Sequence, residues 1–291
     1  MPEDMAVTAA TAHSPAAIER LRSSRAFVFD MDGTLVLGDK TNHGLFPLPG
    51  ALEITGFLSA RGVPFVLFTN GTARTPQEYV EMLRSAGFPL PDNGVITPAS
   101  SAADHFRRQG FRRILTLGGE GLEKPLREAG MEIVSPEGKP EADAVLVGWF
   151  REFTMTALEA ACHAAWGGAK VYSCSQSLYF ATAQGKALGT SRAISAMIKD
   201  LTGARIHVIG KPALEALRCA ARQLGVRTKD LTVIGDDPTL EIPMALRGGA
   251  LAVAVNTGIG AADSYADLPE KHRPHLLVHD VDELLSLYKG L

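Results

Sequence analysis

Arg25-Ala26-Phe27-Val28-Phe29-Asp30-Met31-Asp32-Gly33-Thr34-Leu35 decides the fold. Residues 26–29 are an unbroken apolar run that stops at a carboxylate, a second carboxylate and a glycine, as a buried strand does where it reaches the open edge of a sheet. A helix is expected over 51–60 before Gly62. The same strand-then-helix pattern recurs at 64–68, which ends in Thr69-Asn70-Gly71-Thr72 and leads to a helix over 76–85 closed by Gly87. It returns near the end of the chain. A strand over 206–209 precedes Gly210-Lys211-Pro212, and a helix follows with Leu214, Leu217, Ala221 and Leu224 on one face and Gly225 at its end. A strand over 231–234 precedes Gly235-Asp236-Asp237, a further strand covers 250–255, and a closing helix covers 281–288. Alternating strands and helices imply a parallel sheet covered on both faces.

The middle of the chain has its own alternation, with helices over 100–109, 121–129, 154–166 and 190–201 and strands over 111–117, 144–148 and 169–173. The architecture expected is α/β: a doubly wound, Rossmann-like parallel-sheet core from residues 25–97 and 204–291, with residues 98–203 inserted as an α/β cap. Residues 1–24, rich in Ala and Thr, are expected to be a flexible leader. Both crossings between the units would lie at the mouth of the core, where an insertion can cover a site.

Composition narrows the function. With 46% hydrophobic and 21% charged residues the chain is an ordinary globular one, not collagen-like, low-complexity or disordered. A net charge of -3 and the absence of a basic run give no pull toward nucleic acid. Cys162, Cys174 and Cys219 lie far apart, without C-x-x-C spacing, which argues against disulfide or thiolate-metal frameworks and for a reducing cytoplasm. No apolar stretch approaches the roughly 20 residues a membrane span needs, and Glu3 and Asp4 stand where a secretory signal carries positive charge.

In an open parallel sheet the carboxyl ends of the strands line one crevice, so four polar strand ends far apart in sequence can converge there. Asp30 and Asp236 offer hard oxygen ligands and a backbone carbonyl near Asp32 a third, a set suited to Mg²⁺. Thr69 and Asn70 can donate to anionic oxygens at the start of the next helix, and Lys211 supplies a positive charge. These are the parts that bind a phosphoryl group and stabilise charge during its transfer. If Asp30 ends the strand and Asp32 sits on the loop, one can face phosphorus while the other reaches the leaving oxygen. Nucleophile and acid are then separate groups.

Asp30-Met31-Asp32-Gly33-Thr34-Leu35, Leu67-Phe68-Thr69-Asn70-Gly71, Gly210-Lys211-Pro212 and Val233-Ile234-Gly235-Asp236-Asp237 resemble, in order, the four motifs of the haloacid dehalogenase (HAD) superfamily. The insertion, with Arg151-Glu152-Phe153-Thr154 after a strand, resembles the cap of subfamily IIA, which includes p-nitrophenyl phosphatases, nucleotide monophosphatases, and phosphoglycolate and pyridoxal phosphate phosphatases. The resemblance implies a Mg²⁺-dependent phosphatase hydrolysing small phosphomonoesters through an aspartyl phosphate. It makes Asp30 the nucleophile, Asp32 the general acid/base, Thr69, Asn70, Gly71 and Lys211 the phosphate binders, Lys211 also the charge stabiliser, and Asp30, the Asp32 carbonyl and Asp236 the metal ligands. Dehalogenating members lack an acid two residues after the nucleophile, so Asp32 favours phosphate ester cleavage. Dimerisation through the cap is an implication of the resemblance alone.

Three departures from the family pattern stand out. Gly71 and Thr72 follow Asn70 where Asn-Ser is common, removing one side-chain amide. Glu241 stands where a second aspartate is common in the fourth motif, with Asp237 as an extra carboxylate nearby. Ser175-Gln176-Ser177 replaces Asn-Pro-Asp in the substrate-selecting segment of the cap. The rival reading is a non-catalytic phospholigand-binding or regulatory protein on the same fold. A nucleotide-dependent oxidoreductase is disfavoured, because the first strand runs into Asp-x-Asp-Gly rather than a glycine-rich turn.

Overall fold

The computed structural model describes residues 13–38, 45–182, 185–258, 265 and 268–291. The chain runs through α1 (Pro15–Arg22), β1 (Ala26–Asp30), the hairpin strands β2 (Val36–Gly38) and β3 (Leu45–Pro47), α2 (Ala51–Ala60), β4 (Phe65–Phe68), α3 (Pro76–Ser85) and β5 (Val95–Ile96). It continues through α4 (Pro98–Gln109), β6 (Arg113–Leu117), α5 (Glu120–Glu128), β7 (Glu132–Val134), β8 (Ala144–Val147), α6 (Met155–Trp166) and β9 (Lys170–Ser173). A second hairpin, β10 (Tyr179–Thr182) with β11 (Gly185–Leu188), precedes α7 (Thr190–Thr202) and β12 (Ile206–Val208). Then come α8 (Leu214–Gln223), β13 (Leu231–Gly235), α9 (Glu241–Gly248), β14 (Leu251–Val255), β15 (Leu276–Val278) and a closing helix, Val281–Lys289.

Two parallel sheets result. One has six strands in the order β15-β14-β13-β1-β4-β5, and the other five in the order β12-β9-β8-β6-β7. Each is buried on both faces. In the first, Phe27, Phe29, Phe65 and Leu67 point to one apolar cluster, and Val28, Val66 and Phe68 point to the other. In the second, Leu115, Val145 and Val171 share one face, and Ile114, Leu146 and Tyr172 share the other. This two-sided alternation explains why the strands read as continuous apolar runs. Cys162 and Cys219 fill these clusters, as expected of small hydrophobes.

Three findings correct the expectations. Within the stretch expected to be a flexible leader, residues 15–22 are helical: Pro15 opens α1, and Ala17 and Leu21, one turn apart, are buried in the core. Arg22 Nε donates to Leu287 O at 3.1 Å, which ties the segment to the closing helix. An eight-residue helix with two buried side chains leaves almost no periodic trace. The strand before Lys211 belongs to the second sheet, because β12 pairs with β9 through Ile206↔Val171 and Val208↔Ser173. Gly-Lys at its end could not reveal which of two parallel sheets it would join. The two hairpins were not anticipated; they are short and rest on only three or four paired positions each.

Candidate active site

Strand register alone gathers three of the four loops. β1 pairs with β13 on one flank (Phe29↔Ile234) and with β4 on the other (Asp30↔Phe68). Asp30, Asp236 and Thr69 therefore stand at or one residue beyond neighbouring strand ends. Lys211 arrives from the second sheet across Ile209 and Gly210, and its Nζ contacts the Asp30 carboxylate, donates to Phe68 O at 3.0 Å and lies 2.7 Å from Glu241 Oε1.

Burial makes this cluster unlike the rest of the molecule. Among the described residues, Asp30, Lys211, Asp236 and Glu241 are the charged side chains that are buried. Three buried carboxylates therefore share the crevice with one ammonium, and two of them, Asp30 and Glu241, contact it directly. Burial works against the Lys211 charge, but Asp30 and then Glu241 outweigh it and hold the ammonium protonated. Burial likewise drives the Glu241 carboxyl up, opposed by Lys211 and reinforced by Asp30 and Asp236. A cluster carrying surplus negative charge in a dry place is the setting a divalent cation stabilises. Among the described residues no three His, Cys, Asp or Glu side chains form a metal-binding group. Two carboxylates at neighbouring strand ends plus a main-chain carbonyl need no third side chain, and that all-oxygen set fits Mg²⁺.

The loop after β1 is shaped around Asp236. Gly33 has a φ of +84°, and a Cβ there would lie 2.7 Å from Asp236 Oδ2, so both conformation and space require glycine. Thr34 Oγ1 donates to Asp30 Oδ2 at 3.3 Å, leaving the other carboxylate oxygen to Lys211. Asp32 reaches solvent at the mouth of the crevice. Crowding by protein pushes its carboxyl up to about 6, Asp30 adds to the rise, and Lys211 and a hydrogen bond with Thr69 oppose it. Its contact with water moderates the shift without changing its direction.

Hydrogen bonds hold two groups of the second loop in place. Gly71 N donates to Thr69 Oγ1 at 3.0 Å, so this N–H is engaged within the loop. The Asn70 carboxamide holds the Lys211 main chain, accepting from Lys211 N at 2.8 Å and donating to Lys211 O at 3.0 Å. In the fourth loop Asp237 Oδ1 accepts from Thr239 N and Oγ1, at 2.7 and 2.6 Å, and closes its own turn. Glu241 is the carboxylate that reaches the site. Room for it comes from Gly235, where a Cβ would fall 2.3 Å from Glu241 Cγ.

Ser175, Gln176 and Ser177 follow β9 as a self-bonded turn. Ser175 Oγ accepts from Ser177 N at 3.1 Å, and the Gln176 carbonyl accepts from Arg192 Nη1 at 2.9 Å. Cys174, just before them, is buried, and its thiol is pushed far up by desolvation; its carbonyl packs against Gly210. Residues not singled out from the sequence complete the surroundings. A Cβ on Gly71 would meet Tyr79 Oη at 2.3 Å, and burial followed by the Asp32 charge pushes that phenol up to about 12, while Arg74 hydrogen bonds to it. Thr72 Oγ1 accepts from Trp149 N at 2.8 Å, and Gly121 of α5 lies so close that a Cβ would come within 2.5 Å of Thr72 O. Gly118, Gly119 and Gly121 are the residues that could have pointed to this last contact in the sequence.

Known proteins bear on this geometry. The family description haloacid dehalogenase-like hydrolase matches residues 27–132, and a second HAD-hydrolase-like description matches residues 208–284. A 5′-nucleotidase of Bacillus subtilis is 26% identical over 91% of this chain and 97% of its own length. An acid sugar phosphatase of Staphylococcus aureus is 26% identical over 87% of this chain and 93% of its own. The crystal structure of a 4-nitrophenylphosphatase from Thermotoga maritima superposes with a TM-score of 0.81 at 26% identity, covering 92% of this chain and 99% of that one. Similarity of this extent to catalytic relatives favours hydrolysis over the non-catalytic alternative. With its paired α/β sheets and its cluster of buried charges, the chain belongs to the haloacid dehalogenase-like hydrolases, among the phosphatases of subfamily IIA.

Proposed function

We propose that this protein is a Mg²⁺-dependent phosphomonoesterase for small soluble phosphorylated metabolites, working through an aspartyl phosphate. The observation that carries the reading is the gathering of the buried charges, Asp30, Lys211, Asp236 and Glu241, at the edge where β1, β4 and β13 end. Asp30 attacks phosphorus, and the ester oxygen leaves as it takes a proton from Asp32. Water then attacks the acyl phosphate, gives its proton to Asp32 and frees phosphate and Asp30. A carboxyl raised above the ordinary carboxylate range suits a group that must give a proton and then take one close to neutral pH. Thr69 Oγ1 and the Asn70 N–H bind phosphoryl oxygens, and Lys211 neutralises charge gathering there. Asp30, the Asp32 carbonyl and Asp236 would hold Mg²⁺, which supplies further charge neutralisation at the phosphoryl oxygens.

The second sheet, residues 98–203 with β12, acts as a cap, and Ser175-Gln176-Ser177 contributes to substrate choice. The names of the relatives, a nucleotidase and a sugar phosphatase, support a small phosphorylated metabolite. Three free, buried cysteines fit a reducing cytoplasm.

The test is phosphate release by purified protein from p-nitrophenyl phosphate, sugar phosphates, nucleoside monophosphates, phosphoglycolate and pyridoxal phosphate, with and without EDTA. Release is expected to vanish with EDTA, return with Mg²⁺, and fall by at least about 10⁴-fold in Asp30→Asn without loss of fold. Undiminished turnover by Asp30→Asn overturns the nucleophile.

A further inference from the structure

Lys211 can stabilise a phosphoryl group only if its ammonium is aimed, and a four-carbon stem aims poorly unless its main chain is anchored. That main chain comes from β12, outside the six-stranded sheet, so no strand pairing of the core sheet holds it. Asn70 does, from both sides: its Oδ1 accepts from Lys211 N at 2.8 Å and its Nδ2 donates to Lys211 O at 3.0 Å. A donor and an acceptor met together allow one orientation of the amide. The neighbouring carbonyl of Phe68 takes the other end of the same residue, accepting from Nζ at 3.0 Å. The end of β4 thus grips the lysine at both ends. Gly210 supports the arrangement independently, since a Cβ there would lie 2.6 Å from Asn70 Oδ1 and 2.2 Å from Cys174 O. Any larger residue would displace either the carboxamide or the end of β9.

We propose that the Asn70 side chain is a positioning residue that sets the Lys211 ammonium relative to Asp30, and that it affects phosphoryl transfer through the lysine, not by holding the phosphoryl group. This rests on the role assigned to Lys211 above. An ångström of misplacement at a charge-stabilising group costs on the order of a hundredfold in rate.

A double-mutant cycle tests it. Asn70→Ala, Asn70→Asp, Lys211→Met and the corresponding double variants are compared by kcat and KM for p-nitrophenyl phosphate and by calorimetric affinity for inorganic phosphate with Mg²⁺, each variant being checked for wild-type-like cooperative melting. Asn70→Ala is expected to lower kcat by about a hundredfold while KM moves by less than about threefold. In the Lys211→Met background the same change is expected to shift kcat and phosphate affinity by less than about threefold. Should Lys211→Met have no measurable turnover, Lys211→Arg takes its place and kcat closes the cycle; should Asn70→Ala not fold, the near-isosteric Asn70→Asp takes its place. Losses that multiply independently, or an Asn70→Ala kcat within about threefold of wild type, overturn the proposal. Full turnover by Lys211→Met instead removes the role of the lysine on which the proposal stands.

Discussion

The two parallel sheets obey the same packing rules, yet their carboxyl edges are finished differently. β1, β4 and β13 run into Asp30, Thr69 and Asp236, whereas β6, β8 and β9 run into Gly118, Gly148 and Cys174. One edge ends in charge and the other in small residues. The small residues serve contact: a Cβ on Gly148 would come within 3.0 Å of Thr72 Oγ1, and the Cys174 carbonyl abuts Gly210. The carboxyl edge of the second sheet is therefore closely packed against the loops that follow β4 and precede α8. Chemistry in a parallel sheet resides in the one or two residues after the last buried position, and the strands before them can be nearly interchangeable.

The sharpest way to break this contrast is to neutralise a buried charge on the first edge. Asp236→Asn is expected to lower phosphate release by about a thousandfold and to raise the Mg²⁺ concentration needed for half-maximal rate, while melting stays cooperative. Mg²⁺ titration of the variant checks it, and an unchanged midpoint would take Asp236 out of the ligand set. Next, Leu146→Ala in the second sheet removes a fully buried side chain. It is expected to cost about 3 kcal/mol of stability in urea unfolding and to leave kcat near 25 °C within about twofold. A large kcat loss there would mean that the second sheet is more than packing for the first.

The seat between the edges is probed by two glycines on either side of Glu120. Gly121→Ala forces a Cβ to within 2.5 Å of Thr72 O and 2.7 Å of Arg74 N and is expected to cost about 1–3 kcal/mol, with altered substrate ranking. Gly119→Ala, where nothing lies within 4 Å, is the matched control and should change neither. The smallest effect is one of pH. His105 Nε2 lies 3.2 Å from the Tyr172 hydroxyl, and burial lowers the imidazole below its ordinary value of 6.5. The folded state therefore favours neutral His105, and the stability this gives is present above about pH 6.5 and lost as pH falls from there through the lowered folded value. Melting temperature should drop as pH falls below about 6.5, and His105→Gln should shrink the drop.

Much of this was legible in the residues. The strand ends at Asp30, Thr69 and Asp236 could be read because an apolar run stopping at a polar cluster marks a sheet edge wherever it occurs. Pro15 and the Ala17–Leu21 spacing were too short a signal for α1, and the hairpins left too few alternating positions to register. The sheet to which β12 belongs was hidden, since pairing depends on register against Val171 and Ser173 and not on the composition of Ile206-His207-Val208. For Asn70 the position was legible and the side-chain role was not: a loop amide reads alike whether it meets a phosphate or a peptide group. Glu241 was ambiguous for a related reason, because only the void left by Gly235 shows that its longer stem folds inward.

Ile209 N donates to Ser173 O at 3.0 Å and Lys211 N donates to Asn70 Oδ1, so the chain passes from the hydrogen bonding of one sheet to the grip of the other within one residue, Gly210. On this return crossing, a swing of the second sheet that leaves the lysine in place must be absorbed largely as rotation about the two soft torsions of that glycine. With Lys211 in the role proposed for it, the reach of such a swing is limited in part by how far Gly210 can turn before the ammonium is dragged with it.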